Sequence, residues 1–217
     1  MLGIIRKDAP LFALYSVPLF GLLLTYQVGE GVLDPFKVLG TGFFIILVTW
    51  GGISTSEQRE VRSDGYAFLR TLPVTDRQIV AAKFALVFAT AFACLAAAQV
   101  LLYVLDVRGM HKPLASLYLF CCAVAALLLG GLGYVAIYAW GFPRVLKLAW
   151  LSCAAVGGSW ILFDVLFIRN RRLDFRNIAW LSQGRSWVLS LTVVSAGLAA
   201  FYGLMRLAVR IKARRED

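Results

Sequence analysis

Few side chains in this sequence are of types that do chemistry. The single histidine, His111, has no metal-ligand neighbours. The four cysteines, Cys94, Cys121, Cys122 and Cys153, all fall inside apolar runs without CxxC spacing. That pattern predicts buried small hydrophobes, with neither a disulfide nor a metal centre. No G-x-x-x-x-G-K-[ST] run is present to cradle phosphates, so these residues hold no P-loop. Asp164 is the only carboxylate well inside an apolar stretch. An ion there is costly, so Asp164 either pairs or snorkels, with an outer arginine such as Arg169 in reach, or serves substrate binding or gating. Gln99 and Gln27 are candidates for interhelical hydrogen bonds. The densest charged set is Glu57, Glu60 and Asp64, on one helical face at i, i+3 and i+7, with Arg59 and Arg62 roughly opposite.

The elements that must position these groups follow from composition. Of 217 residues, 60% are hydrophobic and 16% charged, and the mean hydropathy is +0.78. A soluble domain is nearer half apolar and a quarter charged, which disfavours a soluble enzyme, a disordered chain and a nucleic-acid module. Runs long enough to cross a ~30 Å hydrocarbon core occur at about 9–29, 38–56, 84–105, 113–141, 148–168 and 186–208. Unpaired backbone is so costly in lipid that all six are expected to be helices. The fold class expected is therefore an all-α integral membrane protein, with residues 1–217 forming one transmembrane domain. The first run is too long for a signal peptide and no small-x-small site follows it.

An even number of spans puts both termini on one side. Placing them in the cytoplasm puts 14 of the 22 Lys and Arg inside, although the outer loop 169–185 then holds five arginines. That loop mixes its arginines with Ile178, Ala179, Trp180 and Leu181, which suits a segment lying in the outer interface. The connections near Glu30–Phe36 and Asp106–Pro113 read as short turns. Ala89, Ala93 and Ala97 form a small-residue stripe that suits packing within the subunit, or a dimer seam. Gly130, Gly131 and Gly133 interrupt the long fourth run, where tilt, a kink or an interfacial extension would explain its length.

The cytoplasmic segment Glu57–Lys83 carries the most information. A helix continues out of the second span, Gly65 permits a bend, and Tyr66, Phe68, Leu69 and Leu72 offer apolar side chains outside the membrane core. Leu72-Pro73 ends that helix, because the residue before proline is pushed out of the α region. Thr75-Asp76-Arg77-Gln78 is a capping-box pattern that starts the third span. From the residues alone, this segment either rests on lipid headgroups or docks a partner.

Glu57, Asp64, Leu69, Leu72-Pro73-Val74, Arg77, Ile79-Val80 and Lys83, with the opening Ile4-Ile5-Arg6-Lys7-Asp8, resemble the permease subunits of ABC-2 type exporters, closest to the short six-span bacterial ones. An Asp stands directly before Arg77, where such proteins commonly have Ser or Thr. The resemblance implies an ABC-2 (type V exporter-like) permease fold of six helices with cytoplasmic termini. It also implies that 57–83 is a coupling segment docking on a separate ATPase subunit, with Glu57, Asp64, Phe68, Leu69, Arg70, Leu72 and Pro73 at that contact. ATP and Mg would be held by the ATPase and not by this chain, which would pair with a second permease copy or a related chain in a bacterial plasma membrane. By the same resemblance 169–185 is the place for a re-entrant extracellular gate. Asp164, Gln99 and Trp180 are the candidates for the substrate path or gate.

Two other readings compete. Asp64-Gly65-x-x-x-x-Arg70 is similar to the D-G-x-x-A-R core of CDP-alcohol phosphotransferases. Val61 stands where a preceding Asp is needed, however, and no G-x-x-x-D-x-x-x-D follows. An ion-coupled carrier would place acids near the bilayer midplane, and Asp164 alone is thin support. The mostly apolar helices and short outer loops lean toward an amphipathic or hydrophobic substrate.

Overall fold

Apolar runs flanked by charge leave the backbone one inexpensive way to satisfy its polar groups in lipid, which is to bond within its own helix. The structure, a computed structural model, describes residues 8–10, 32–33, 35–63, 65, 74–107, 112–147 and 186–216. The stretches 9–29 and 148–168, apart from the helical residues 8–10, and the loop 169–185 lie outside the described residues. Four long helices dominate: α1 (Pro35–Arg62), α2 (Asp76–Val104), α3 (Lys112–Trp140) and α4 (Ser186–Glu216). All four are long and apolar enough to cross a membrane. At about 1.5 Å per residue, their 28 to 31 residues exceed the ~30 Å core and carry polar turns beyond it.

The start of α2 is set locally. The Thr75 backbone N–H donates to Gln78 Oε1 at 3.1 Å, and the Gln78 N–H donates to Thr75 Oγ1 at 3.3 Å. This is the reciprocal capping box that the sequence pattern predicts, with Asp76 in the first turn complementing the helix dipole. Within α1, the buried hydroxyls of Thr41 and Thr49 donate to the carbonyls of Lys37 and Ile45, at 2.7 and 2.8 Å.

Helix α3 packs against all three others. Gly42 of α1 abuts Tyr118 and Cys122, and Gly133 of α3 abuts Trp50. Along α4, Gly197 meets Val124 while Gly131 meets Phe201 and Leu204. These contacts advance together, so α1, α3 and α4 run in the same direction. Contacts to α2 run in reverse: Gln99 bonds Ser116, Val87 meets Gly130 and Phe84 stacks near Tyr134. Helix α2 is therefore antiparallel to the rest. The core lies between these faces, around Val48, Ile53, Val80, Phe84, Val87, Leu119, Leu127 and Tyr134.

Four sequence expectations change in detail. The glycines of α3 do not interrupt it. The helix runs unbroken to Gly141, which follows it with φ +86°, a backbone state that favours glycine. Gly130, Gly131 and Gly133 instead admit side chains of α1, α2 and α4 to close range. Ala89 and Ala93 face outward and Ala97 is half-buried, while Ala82, Ala91 and Ala98 are the alanines of α2 that the bundle buries. The two connections read as short turns also pair with each other. Val32–Leu33 (β1) and Asp106–Val107 (β2) form a two-residue parallel ladder, Val32 opposite Asp106 and Leu33 opposite Val107. Of the cysteines, Cys94 and Cys122 are buried but Cys121 is exposed.

Candidate functional site

The polar extensions of α1 and α2 come together at one end of the bundle. On α1, Ile53, Ser56, Glu57 and Glu60 occupy i, i+3, i+4 and i+7, and all four are buried. On α2, Val80, Lys83, Phe84 and Val87 repeat that spacing and are equally buried. In both helices the buried apolar stripe simply continues into charged residues. Arg59 and Arg62 point to the outside, as their position opposite the acids predicts.

Lys83 is the hub. Its Nζ lies 2.9 Å from Asp8 Oδ2, 3.0 Å from Glu57 Oε1 and 3.5 Å from Glu60 Oε1, and it donates to Ser56 Oγ at 2.8 Å. The exposures of Lys83, Asp8, Glu57 and Glu60 are 0%, 1%, 0% and 2%. Asp8 belongs to the N-terminal segment, so one ammonium ties three separate pieces of chain. Helix α3 adds the fully buried Tyr134 and the buried Tyr138. Phe84, next to Lys83, packs on Tyr134 at 5.8 Å and on Phe201 of α4 at 5.0 Å. Gly65 closes over the acids, and a Cβ there would collide with the Glu60 carboxylate. The sequence suggests a bend at Gly65; the structure adds a close approach in which a larger residue would displace the Glu60 carboxylate.

Ions buried this completely are costly unless paired. Removing the ammonium from between these carboxylates costs about 3–5 kcal/mol. Sealed from solvent and held by three carboxylates, Lys83 is not placed to exchange protons with a substrate. The arrangement acts mechanically, by fixing where α1, α2 and the N-terminal segment stand relative to one another.

At the opposite end of α2, Gln99 makes a second polar link. Ser116 Oγ donates to Gln99 Oε1 at 3.1 Å and Gln99 Nε2 donates to the Ser116 carbonyl at 3.4 Å. Of the residues singled out by sequence, Glu57 thus sits inside the ion cluster and Gln99 bridges α2 to α3. Asp64, Phe68, Leu69, Arg70, Leu72, Pro73, Asp164 and Trp180 lie outside the described residues. Sequence reasoning noticed Lys83 and Glu60 without joining them. The signal that could have done so is the shared 3-4-3 spacing with buried apolar neighbours.

Residues 3–209 match the family model described as ABC-2 family transporter protein. The chain belongs to that family. No curated protein and no solved structure shows a significant match. Membership makes this an ABC-2 type permease, a membrane component of transport that is generally non-enzymatic and generally works with an ABC ATPase. In this ABC-2 permease the ion cluster sits where α1 leaves the bundle and α2 re-enters it.

Proposed function

We propose that the chain is one membrane subunit of an ATP-binding cassette exporter. It crosses a bacterial plasma membrane six times with both termini cytoplasmic. With a second permease, identical or related, it forms the path for an amphipathic or hydrophobic substrate. Separate ATPase subunits bind ATP and Mg and dock on the segment that joins α1 to α2. The observation that carries this reading is the family match over residues 3–209.

Connectivity supports six crossings. Asp8 is bound to Lys83 near the start of α2, whereas Val32 pairs with Asp106 just beyond its end. From Lys83 to Val104 the helix rises about 32 Å. Asp8 and Val32 thus stand at opposite ends of α2, which supports a crossing between them. The parallel run of α3 and α4 likewise supports a crossing between them. Two crossings added to four make six. Asp8 and Lys212, which pairs with Asp76 at 2.7 Å, both lie at the α2 N-terminal end, which supports termini on one side. Among the described residues, Arg59, Arg62, Arg77, Arg144, Lys147, Arg206, Arg210 and Arg214 gather at that end too, against Lys37 and Lys112 at the other, which favours a cytoplasmic orientation.

Glu57, Asp64, Phe68, Leu69, Arg70, Leu72 and Pro73 form or flank the ATPase-docking segment in this reading. Lys83 joins its two roots, so that a push on the segment moves α1 and α2 together. Asp164, Gln99 and Trp180 are assigned to the substrate path or gate.

The test is a gentle-detergent purification of the tagged chain from its native membrane, with co-purifying proteins identified and ATPase activity assayed. A stoichiometric P-loop ATPase is expected, released by Phe68→Asp and Leu72→Asp while the permease remains monodisperse. An ATPase-free preparation of the native chain would sink the exporter reading in favour of a stand-alone carrier. ATPase retention by both variants would sink the docking assignment alone.

A further inference from the structure

Helix α4 differs from the other three in how much of it faces outward. Its exposed side runs Val188, Leu191, Ser195, Ala199, Tyr202, Arg206, Arg210 and Arg214, a continuous i+3/i+4 stripe. The first part of this stripe is largely apolar, and the last three members are all arginines. From Trp187, 64% exposed, to Arg206 the helix rises about 29 Å, the thickness of a hydrocarbon core. Trp187 then stands at one interface and Tyr202 and Arg206 at the other, which is where amphipathic rings and snorkelling guanidinium groups belong.

The arginines are arranged differently from the lysine beside them. Lys212 turns inward and is neutralised by Asp76. None of the ion pairs among the described residues includes Arg206, Arg210 or Arg214. Arg206 is held in place: its Nε and Nη2 donate to the Tyr202 hydroxyl at 3.0 and 2.8 Å, and its guanidinium lies 5.0 Å from the Tyr202 ring centroid. The four-residue spacing sets the three guanidiniums about 6 Å apart along the axis. They therefore climb out of the bilayer directly above a lipid-facing stripe.

We propose that Arg206, Arg210 and Arg214 bind the phosphate groups of anionic phospholipids in the adjoining leaflet, with Tyr202 orienting Arg206. Charge complementarity and continuity with the apolar stripe favour a lipid over an acidic protein surface. The guanidinium fork suits phosphate oxygens, and a neutral zwitterionic headgroup gains less from three positive charges.

The purified full-length chain in mild detergent is titrated with phosphatidylglycerol or phosphatidylcholine of identical acyl chains, and bound lipids are counted by native mass spectrometry. Each arginine near a charged surface is worth about 1 kcal/mol, or roughly fivefold in affinity. The native chain should prefer phosphatidylglycerol at least ~10-fold, less at higher salt. Arg206→Gln/Arg210→Gln/Arg214→Gln should bring that preference below about threefold, while the matching Lys triple variant keeps most of it. These side chains are exposed, so the fold should survive, and an unchanged thermal midpoint checks this. No preference in the native chain, or an undiminished one in the Gln variant, overturns the proposal. So does loss of a co-purifying protein with the lipid preference intact, because the stripe would then be a protein contact.

Discussion

Replacing Lys83 by Met keeps most of the side-chain volume and removes the ammonium that contacts Asp8, Glu57 and Glu60. The three oxygens lie 2.9–3.5 Å from Nζ and the carboxylates are essentially without solvent. Desolvating these groups costs several kcal/mol per ion, and the ammonium offsets that cost only while it is present. Lys83→Met should therefore lower stability by about 3–5 kcal/mol, like the loss of one partner from other buried ion sets. For a chain of this size that is a fall of roughly 6–20 °C in thermal midpoint, followed by fluorescence-detected size exclusion after heating in detergent. Adding Glu57→Gln to Lys83→Met removes one negative charge from a site that has already lost the Lys83 ammonium, so it should restore part of the loss. The double-mutant cycle should give a coupling of about 1–3 kcal/mol between positions 57 and 83. If Lys83→Met melts within ~2 °C of the native chain, or Glu57→Gln lowers stability equally in both backgrounds, the cluster is not the joint described.

Two further outcomes follow from close contacts. In Gly133→Ala the new Cβ would lie 2.8 Å from Trp50 Cη2 and closer still to its neighbour in the ring, so overpacking should cost about 1–3 kcal/mol. Gly203→Ala meets nothing within 4 Å and should be neutral or raise stability by up to ~1 kcal/mol, a contrast that thermal midpoints of the two variants will resolve. Ser116→Ala should cost about 0.6 kcal/mol and less than ~1.7, the range of hydrogen bonds between membrane helices. A larger drop in its thermal midpoint would mean that Gln99 has no other way to be satisfied.

What could be read from the sequence follows the range of the forces involved. The capping box at Thr75 and Gln78 is a local motif, and local geometry alone decides it. The division of α1 into an acidic and a basic side is likewise fixed by the helical repeat. Which side faces inward is not, because Glu57 and Glu60 at the edge of a span suit the interface as well as the interior. The decisive partner on α2, Lys83, is 23 residues from Glu60 and follows a proline. Asp8 comes from a different part of the chain and no spacing announces it. Gly130, Gly131 and Gly133 looked like interruptions because glycine is a poor helix former in water. Between packed helices a missing Cβ is what lets Trp50, Val87 and Phe201 approach. The β1–β2 pairing had no signal at all, since two residues are too few to show a strand period.

The two ends of α2 are held with very different strength, and this fits the exporter reading. At one end, opening the joint between α1 and α2 would break contacts to a fully buried lysine, worth several kcal/mol. At the other, α2 is secured by apolar packing of Leu95, Ala98 and Leu102 and by two polar links, a half-buried Gln99–Ser116 pair and a two-residue ladder, each worth only about 1 kcal/mol. A force applied to the segment between Arg62 and Thr75 therefore cannot splay its two roots apart cheaply. It moves them as one body, and the bundle yields at the far end. Apolar side chains at the root would bind as tightly but could slide over one another, because hydrophobic contact has no preferred direction. An ammonium held between carboxylates of α1 and the N-terminal segment fixes distance and orientation together. That stiffness is what carrying a rigid-body displacement from an ATPase to the opposite membrane face requires.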